Sequence, residues 1–431
     1  MNMNMDMTNP GSSLMRSHGR ALVALTLFLA LGNVIAAAIP EGQLVIDPEH
    51  PQWIMRHAQQ HVFLSGPGDP EGFLYRGTRR EDGTREGDQE SLIAKLAQHG
   101  GNCIYMQVVR SHGGDGRPDH NPFADSDPAS GLDAEILAQW ERWFSQMEGK
   151  GIVIYLFLYD DASRIWDTGD EVGPAERRFI QEMVGAFRHH RNLIWIVAEE
   201  SEEAYSMERV QRIAGLIREA DVPGRIIGNH HHSGTTFKAW RQDGALNHFA
   251  MQCNVPNAEV HAHALEAWRK AKGRYHVIYS ENTESEGADI ESLRDYLWAS
   301  AMAGLMPMRL GIDIANTPPE TLRLFRIQER FFIGTPFYRM SPHDELAGEG
   351  ARWVLADPGH DYIVLAQPEA RFVQVQGLPA GTYRLKWVDC VSGNNLIQNG
   401  VVIQAGAHAL NKPPLLGDHW AVALQRVEPG R

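Results

Sequence analysis

Cysteine is scarce in this chain: Cys103, Cys253 and Cys390 are the only three in 431 residues. An odd number excludes full pairing within one chain, and a core of this size needs no disulfide framework. Cys103 and Cys253 fall in or beside predicted strands, where a small buried thiol is ordinary. Runs of lysine or arginine are missing too, and the formal net charge is −14. That balance argues against nucleic acid and anionic membrane surfaces as partners; a neutral or weakly charged substrate fits better. A glycine-rich phosphate turn is also lacking. The stretch after the first predicted strand reads GPGDPEG, not the G-x-G-x-x-G of a dinucleotide site. At the N-terminus, Arg16 and Arg20 precede an uncharged apolar run from Ala21 to Leu31, and Ala36-Ala37-Ala38 follows. The run is short for a membrane span of roughly 20 residues. Residues 1–38 therefore read as a secretory signal cut after Ala38, with a secreted or periplasmic mature chain that does not insert in the membrane.

What is present is an alternation of short apolar runs and amphipathic helices. The runs are His61–Ser65, Asn102–Val109, Ile152–Leu158, Leu193–Ala198, Arg225–Gly228, Phe249–Gln252, His276–Tyr279 and Met306–Leu310. Helices are expected at 88–99, 133–149, 174–189, 206–220, 258–272, 289–303 and 319–332, with Asp88 a plausible N-cap, Pro174 in a first turn and apolar stripes along 133–149 and 206–220. About eight β/α pairs in roughly 270 residues are the size of a (β/α)8 barrel; the competing architecture, a doubly wound open sheet, wants the missing phosphate turn. From Trp353 onward the period changes to two, with Asp-Pro-Gly, Leu-Pro-Ala-Gly and Ser-Gly-Asn-Asn between short runs. That pattern predicts a small antiparallel β-sandwich. The expected fold is thus α/β, a TIM barrel over 39–340 followed by a sandwich over 341–431.

Two of the apolar runs end in carboxylates. NLIWIVAEES (192–201) closes on Glu199 and Glu200, and YHVIYSE (275–281) closes on Glu281. The C-terminal ends of barrel strands converge on one mouth, where the chemistry of this architecture is done. Paired carboxylates there suit hydrolysis of a glycosidic bond, one acting as acid and the other as nucleophile or base. Strand alternation sends Glu199 and Glu200 to opposite sides, so only one is expected to face the axis, and the pattern leaves open which. Arg110, Asp160, His230, Asn254 and Glu284 follow other strands and are candidates to bind substrate. His230, His231 and His232 are consecutive, so they point in alternating directions and do not form one compact metal site; no metal or cofactor is expected. Trp166 and Trp240 are candidates to stack on sugar rings or to fill the core.

NLIWIVAEES resembles the W-x-x-G-N-E or W-x-x-G-G-D segment closing the fourth strand of retaining (β/α)8 glycoside hydrolases, and HVIYSEN resembles the segment closing their seventh strand. On that register the resemblance implies Glu200 as the acid/base and Glu281 as the nucleophile. Glu199 stands where that clan often has an asparagine contacting the sugar 2-hydroxyl. The order of a barrel, SPHDEL and a sandwich carrying DYIVLAQPE and LKWVDCVSG is similar to apiosidase-like bacterial glycoside hydrolases, whose C-terminal domain is named for collagen binding. A secreted glycoside hydrolase acting on a poly- or oligosaccharide is the first expectation. A non-catalytic carbohydrate- or matrix-binding protein on a degenerate barrel is the second. A lyase of acidic polysaccharide would want a basic cleft, which the acidic composition disfavours.

Overall fold

The structure, a computed structural model, describes residues 38–67, 72–231, 244–282 and 289–427. Residues 1–37, His232, Trp240 and Glu284 lie outside the described residues. A small antiparallel sheet comes first, made of β1 (Leu44–Ile46), β2 (Ile54–Arg56) and β3 (His61–Val62). Eight parallel strands then form one sheet: β4 (Gly66–Pro67), β7 (Cys103–Val109), β8 (Val153–Tyr159), β9 (Leu193–Ala198), β10 (Ile227–His231), β11 (His248–Gln252), β12 (His276–Glu281) and β13 (Met306–Arg309). A short hairpin, β5 (Thr78–Arg79) with β6 (Arg85–Glu86), leads into α1 (Gln89–His99). The later crossovers are α2 (Ala134–Gly149), α3 (Pro174–Phe187), α4 (Met207–Ala220), α5 (Val260–Ala271), α6 (Ile290–Met302) and α7 (Pro319–Ile333). The sheet closes because Asn102, just before β7, donates its N–H to the Ser65 carbonyl (3.2 Å) and accepts the Ser65 N–H on its own side chain (2.9 Å). Among the described residues no helix is long and apolar enough to cross a membrane.

Two strands sit elsewhere than expected, each for a steric reason. His61–Ser65 is not the first barrel strand: His61 and Val62 pair antiparallel with β2, and the barrel uses Gly66–Pro67. A Cβ on Gly66 would lie 2.7 Å from the Cys103 sulfur, so the closing strand needs a glycine where the pattern looked for an apolar side chain. The fifth barrel strand starts two residues later than expected and takes in Asn229, His230 and His231. Its Gly228 lies against the His248 ring, 2.6 Å from where a Cβ would be.

From Ser341 onward every pairing is antiparallel. The strands are β14 (Ser341–Pro342), β15 (Ala351–Asp357), β16 (Asp361–Ala366), β17 (Phe372–Leu378), β18 (Gly381–Asp389), β19 (Asn395–Ile403), β20 (Gly406–Asn411) and β21 (Trp420–Arg426). Six of them form a sheet in the order β14-β15-β16-β21-β18-β19, and β17 pairs with β20. Period-two alternation buries both faces of the larger sheet. Val354, Val364, Trp387, Val422 and Leu424 belong to one core with Val373, Val375 and Leu410 of the smaller pair. Leu355, Ile363, Leu365, Val388, Ala421 and Ala423 belong to another with Trp298 of α6 and Phe331 and Phe332 of α7.

Candidate active site

β9 is mostly β-branched and aromatic, and all six of its residues are buried. Its outward Trp195 donates from Nε1 to Asp221 at the end of α4 (2.6 Å), and Arg225 pairs with the same carboxylate (3.0 Å). Arg225 also donates to the carbonyls of Arg188, His190 and Leu193, which fixes the entry into the strand. The strand breaks off at Glu200, whose φ of 29° and ψ of 48° are left-handed for a residue with a side chain. Strain of this kind costs about 1–3 kcal/mol and persists where surrounding contacts hold it. One such contact is at hand: the Glu200 N–H donates to His230 Nδ1 (3.1 Å).

That bond fixes the imidazole. An Nδ1 that accepts leaves the proton of the neutral ring on Nε2. His230 is fully buried, and its Nε2 stands 3.6 Å from Glu281 Oε2, an electrostatic approach longer than a hydrogen bond. Glu281 reaches this position through a register shift at the end of β12. Met251 pairs with Tyr279, but Gln252 pairs with Glu281, so Ser280 is the extra residue of a bulge that re-aims the carboxylate. Cys253 donates its N–H to the Glu281 carbonyl (3.1 Å), locking the bulge to the next strand.

Glu199, not Glu200, completes the cluster. Carboxylate oxygens of Glu199 and Glu281 and a ring nitrogen of His230 all lie within 4.8 Å of one another. Glu199 is only 4% exposed and accepts from Gln107 Nε2 of β7 at 2.5 Å. Two like charges this close oppose ionisation of both. The three donors also have the composition of a metal site, but the Nε2 that faces the carboxylates carries its proton while Nδ1 accepts, so it does not offer a lone pair there. Glu200 is half-buried at the turn, near enough for its charge to act on Asp161. Asp161 is lifted to about 7 by burial first, then by the charges of Asp160, Asp115, Glu203 and Glu200.

The other expected residues divide. Arg110 and Asp160 are both buried and pair with each other (3.2 Å), and Asp160 also accepts the Asp115 N–H (3.0 Å), so together they pin the long loop after β7. Asn254 is exposed just beyond β11, and its neighbour Val255 is clamped on both backbone groups by Asn282. His231 turns away from His230 toward Glu202 (3.4 Å), as alternation requires. Trp166 packs edge-on against Phe123 and beside Phe179, a core role. Gln107 was not singled out from the sequence; a lone polar residue inside the apolar run CIYMQVV was its signal. Arg309, buried at the end of β13 with its guanidinium over the Tyr296 ring, was missed as well.

The fold and this mouth define a (β/α)8 barrel with carboxylates at the ends of its fourth and seventh strands. No protein-family model matches the chain, and no curated protein matches it by sequence. Solved structures share its fold. A glycoside hydrolase family 5 protein from Bacteroides vulgatus superposes with a TM-score of 0.65 at 13% identity, over 92% of this chain and 97% of its own. A second Bacteroides vulgatus protein, also named as a glycoside hydrolase, gives 0.66 at 13% identity over 90% and 83%. A third glycoside hydrolase gives 0.64 at 13% identity over 89% and 97%. Coverage this long takes in the sandwich as well as the barrel.

Proposed function

We propose that this chain is a secreted or periplasmic glycoside hydrolase that cleaves a poly- or oligosaccharide with retention of configuration. Glu281 is the nucleophile and Glu200 the acid/base. The observation that carries the reading is that the acids closing β9 and β12 meet at one mouth: Glu199, the neighbour of Glu200, and Glu281 have carboxylate oxygens within 4.8 Å of each other, and converging strand-end carboxyl groups are what this hydrolysis needs. Glu281 sits under His230 Nε2, whose N–H stabilises its charge. Glu200 is half-exposed at the turn that closes β9, where a leaving group would enter from solvent. Glu199, buried on Glu281 and held by Gln107, takes the place of a group contacting the nucleophile and the sugar 2-hydroxyl. The names of the fold neighbours agree with this class of reaction.

The same proximity favours a second assignment, in which Glu199 is the acid/base, and one experiment separates them. An aryl glycoside with a very acidic leaving group needs little protonation, so the acid/base variant still forms the covalent intermediate and stalls there. Azide should then restore turnover of Glu200→Ala and give a glycosyl azide of retained configuration. Glu281→Ala should lose the first step on every substrate. Glu199→Gln should lose about 10²-fold or more in rate, the lower end for a group acting in the transition state, without rescue by azide. Rescue of Glu199→Gln in place of Glu200→Ala would transfer the acid/base role to Glu199. Full activity of Glu281→Ala would remove the mechanism.

A further inference from the structure

The acidic composition conceals one strongly basic place. A cavity of about 550 Å³ opens between the C-terminal end of α1, the outer face of α7 and the sandwich strand β18. Arg323, Arg326, Arg330 and Lys386 line it together with His99, and none of its lining residues is acidic. The three arginines follow helical spacing along one face of α7. Glu329, the acid in their midst, is turned away and accepts from Asn102 (3.0 Å). Two of the cations are occupied by backbone: Arg326 donates to the Ala97 and Gln98 carbonyls at the end of α1, and Lys386 to the Arg330 and Phe331 carbonyls (2.7 and 2.9 Å). The guanidinium groups of Arg323 and Arg330 are exposed, and no described residue gives them a hydrogen bond or ion pair; Glu329 acts on Arg330 only through its charge.

We propose that this cavity binds the carboxylate-bearing residues of an acidic polysaccharide, apart from the catalytic mouth. Four cations gathered in a chain of net charge −14 repel one another, and a bound anion relieves that repulsion. Arginine forks match a carboxylate in bidentate geometry. The lining also includes the apolar Ile327, Phe331 and Val388, the side-chain amides of Gln98 and Asn395 and the Ser392 hydroxyl. Apolar, hydrogen-bonding and cationic groups in one lining correspond to the C–H face, hydroxyls and carboxylate of a uronic acid ring. The volume lies within the range of small-molecule sites, about 300–1,000 Å³. A nucleic acid would want a basic stripe that follows its phosphates rather than a single local cavity. α1 ends where β7 begins, so the site lies toward the strand ends opposite Glu199 and Glu281. It would hold an acidic polymer without occupying the catalytic groups.

The test is binding, not turnover, so it stands or falls independently of the hydrolase reading. The full chain is run in native gels containing polygalacturonate, neutral dextran or duplex DNA, and the dissociation constant for polygalacturonate is measured at low and high salt. Polygalacturonate should retard the protein, dextran should not, and salt should weaken the binding. Arg323→Glu with Arg330→Glu should weaken it at least about tenfold, in line with the loss of charge-assisted bonds, with an unchanged thermal melt. If the double variant melts lower, the milder Arg323→Gln with Arg330→Gln takes its place. Equal retardation by dextran, binding of duplex DNA as tight as that of polygalacturonate, or undiminished binding by the folded double variant would each overturn the proposal.

Discussion

Glu199 and Glu200 show how far a single residue can be read from sequence. That an acid closes an apolar strand is visible in the chain, and so is the partner strand ending in Glu281. Which acid faces the axis is not, because alternation fails at both strand ends. Ile194 and Ile196 belong to the inner core, so strict alternation would send Ala198 and Glu200 inward; yet Ala198 packs with the outer cluster and Glu199 is the one hydrogen-bonded to Gln107. On β12 the bulge at Ser280 makes the same kind of exchange and turns Glu281 inward. Such local breaks are set by contacts from neighbouring strands, here His230 and Cys253, which no period in one segment contains. The acids around Glu200 give a prediction at this scale. Asp161 stands at about 7 because of burial and the charges of Asp160, Asp115, Glu203 and Glu200. Between about pH 4 and about pH 7 the folded chain then holds a proton that the unfolded chain has released, so stability falls as pH rises through that window. Asp161→Asn removes the titration. Its melting temperature relative to the parent should be higher at about pH 8 than at about pH 5, by a small margin because the group is partly solvated. Equal offsets at the two pH values, measured by scanning calorimetry, would rule the effect out.

At the scale of elements, the strand–helix alternation was legible because each parallel strand is a continuous apolar run and each crossover helix carries a stripe. β7, β8 and β9 are buried at every position. The strands that escaped exact placement, β4 and β10, are those whose interior residues are glycine or histidine, chosen for close approach rather than for apolar burial. What holds β9 in register with α2 was also invisible. His190, in the turn before β9, is buried and bridges two acids of α2: Glu148 at its Nδ1 (2.9 Å) and Glu141 at its Nε2 (3.0 Å). Burial works against its protonation, but the hydrogen bonds to Glu148 and Glu141 prevail, and its pKa is raised. Glu148 is lowered in turn, chiefly by its bond to His190. A histidine raised in the folded state contributes stability that is fully present below its unfolded value, near 6.5, and is lost as pH rises through the folded value. His190→Gln should therefore cost more stability at about pH 6 than at about pH 9. Urea melts at the two pH values decide it; a cost independent of pH would show that packing, not the clasp, is what the ring supplies.

For the whole molecule, the seam between barrel and sandwich is the feature the sequence least disclosed. β16 is buried at all six positions, which reads as a core strand but does not say that its two faces serve different cores. Val364 faces the small sheet, while Ile363 and Leu365 join Trp298, Phe331 and Phe332 on the barrel helices. Polar links tie the same faces together. His261 of α5 contacts Asp344 (2.7 Å) and stacks on Trp353 at 4.1 Å, and Lys386 caps the last turn of α7. Each large apolar side chain buried in such a seam contributes about 1.5–3 kcal/mol, so losing several at once is comparable to the about 5–15 kcal/mol that holds a domain folded. Truncation after Met340 would leave the aromatic face of α6 and α7 in water, a patch of the kind that drives association. The truncated barrel should be poorly soluble or melt far below the full chain, even though Glu199, Glu200 and Glu281 all remain in it. A milder probe keeps the chain whole. Ile363→Asp places an unpaired charge in the seam, and because both layers depend on that contact, barrel and sandwich should be destabilised together in one calorimetric transition at lower temperature. Two separate transitions, with only the sandwich shifted, would show instead that the barrel holds its fold without the sandwich against it.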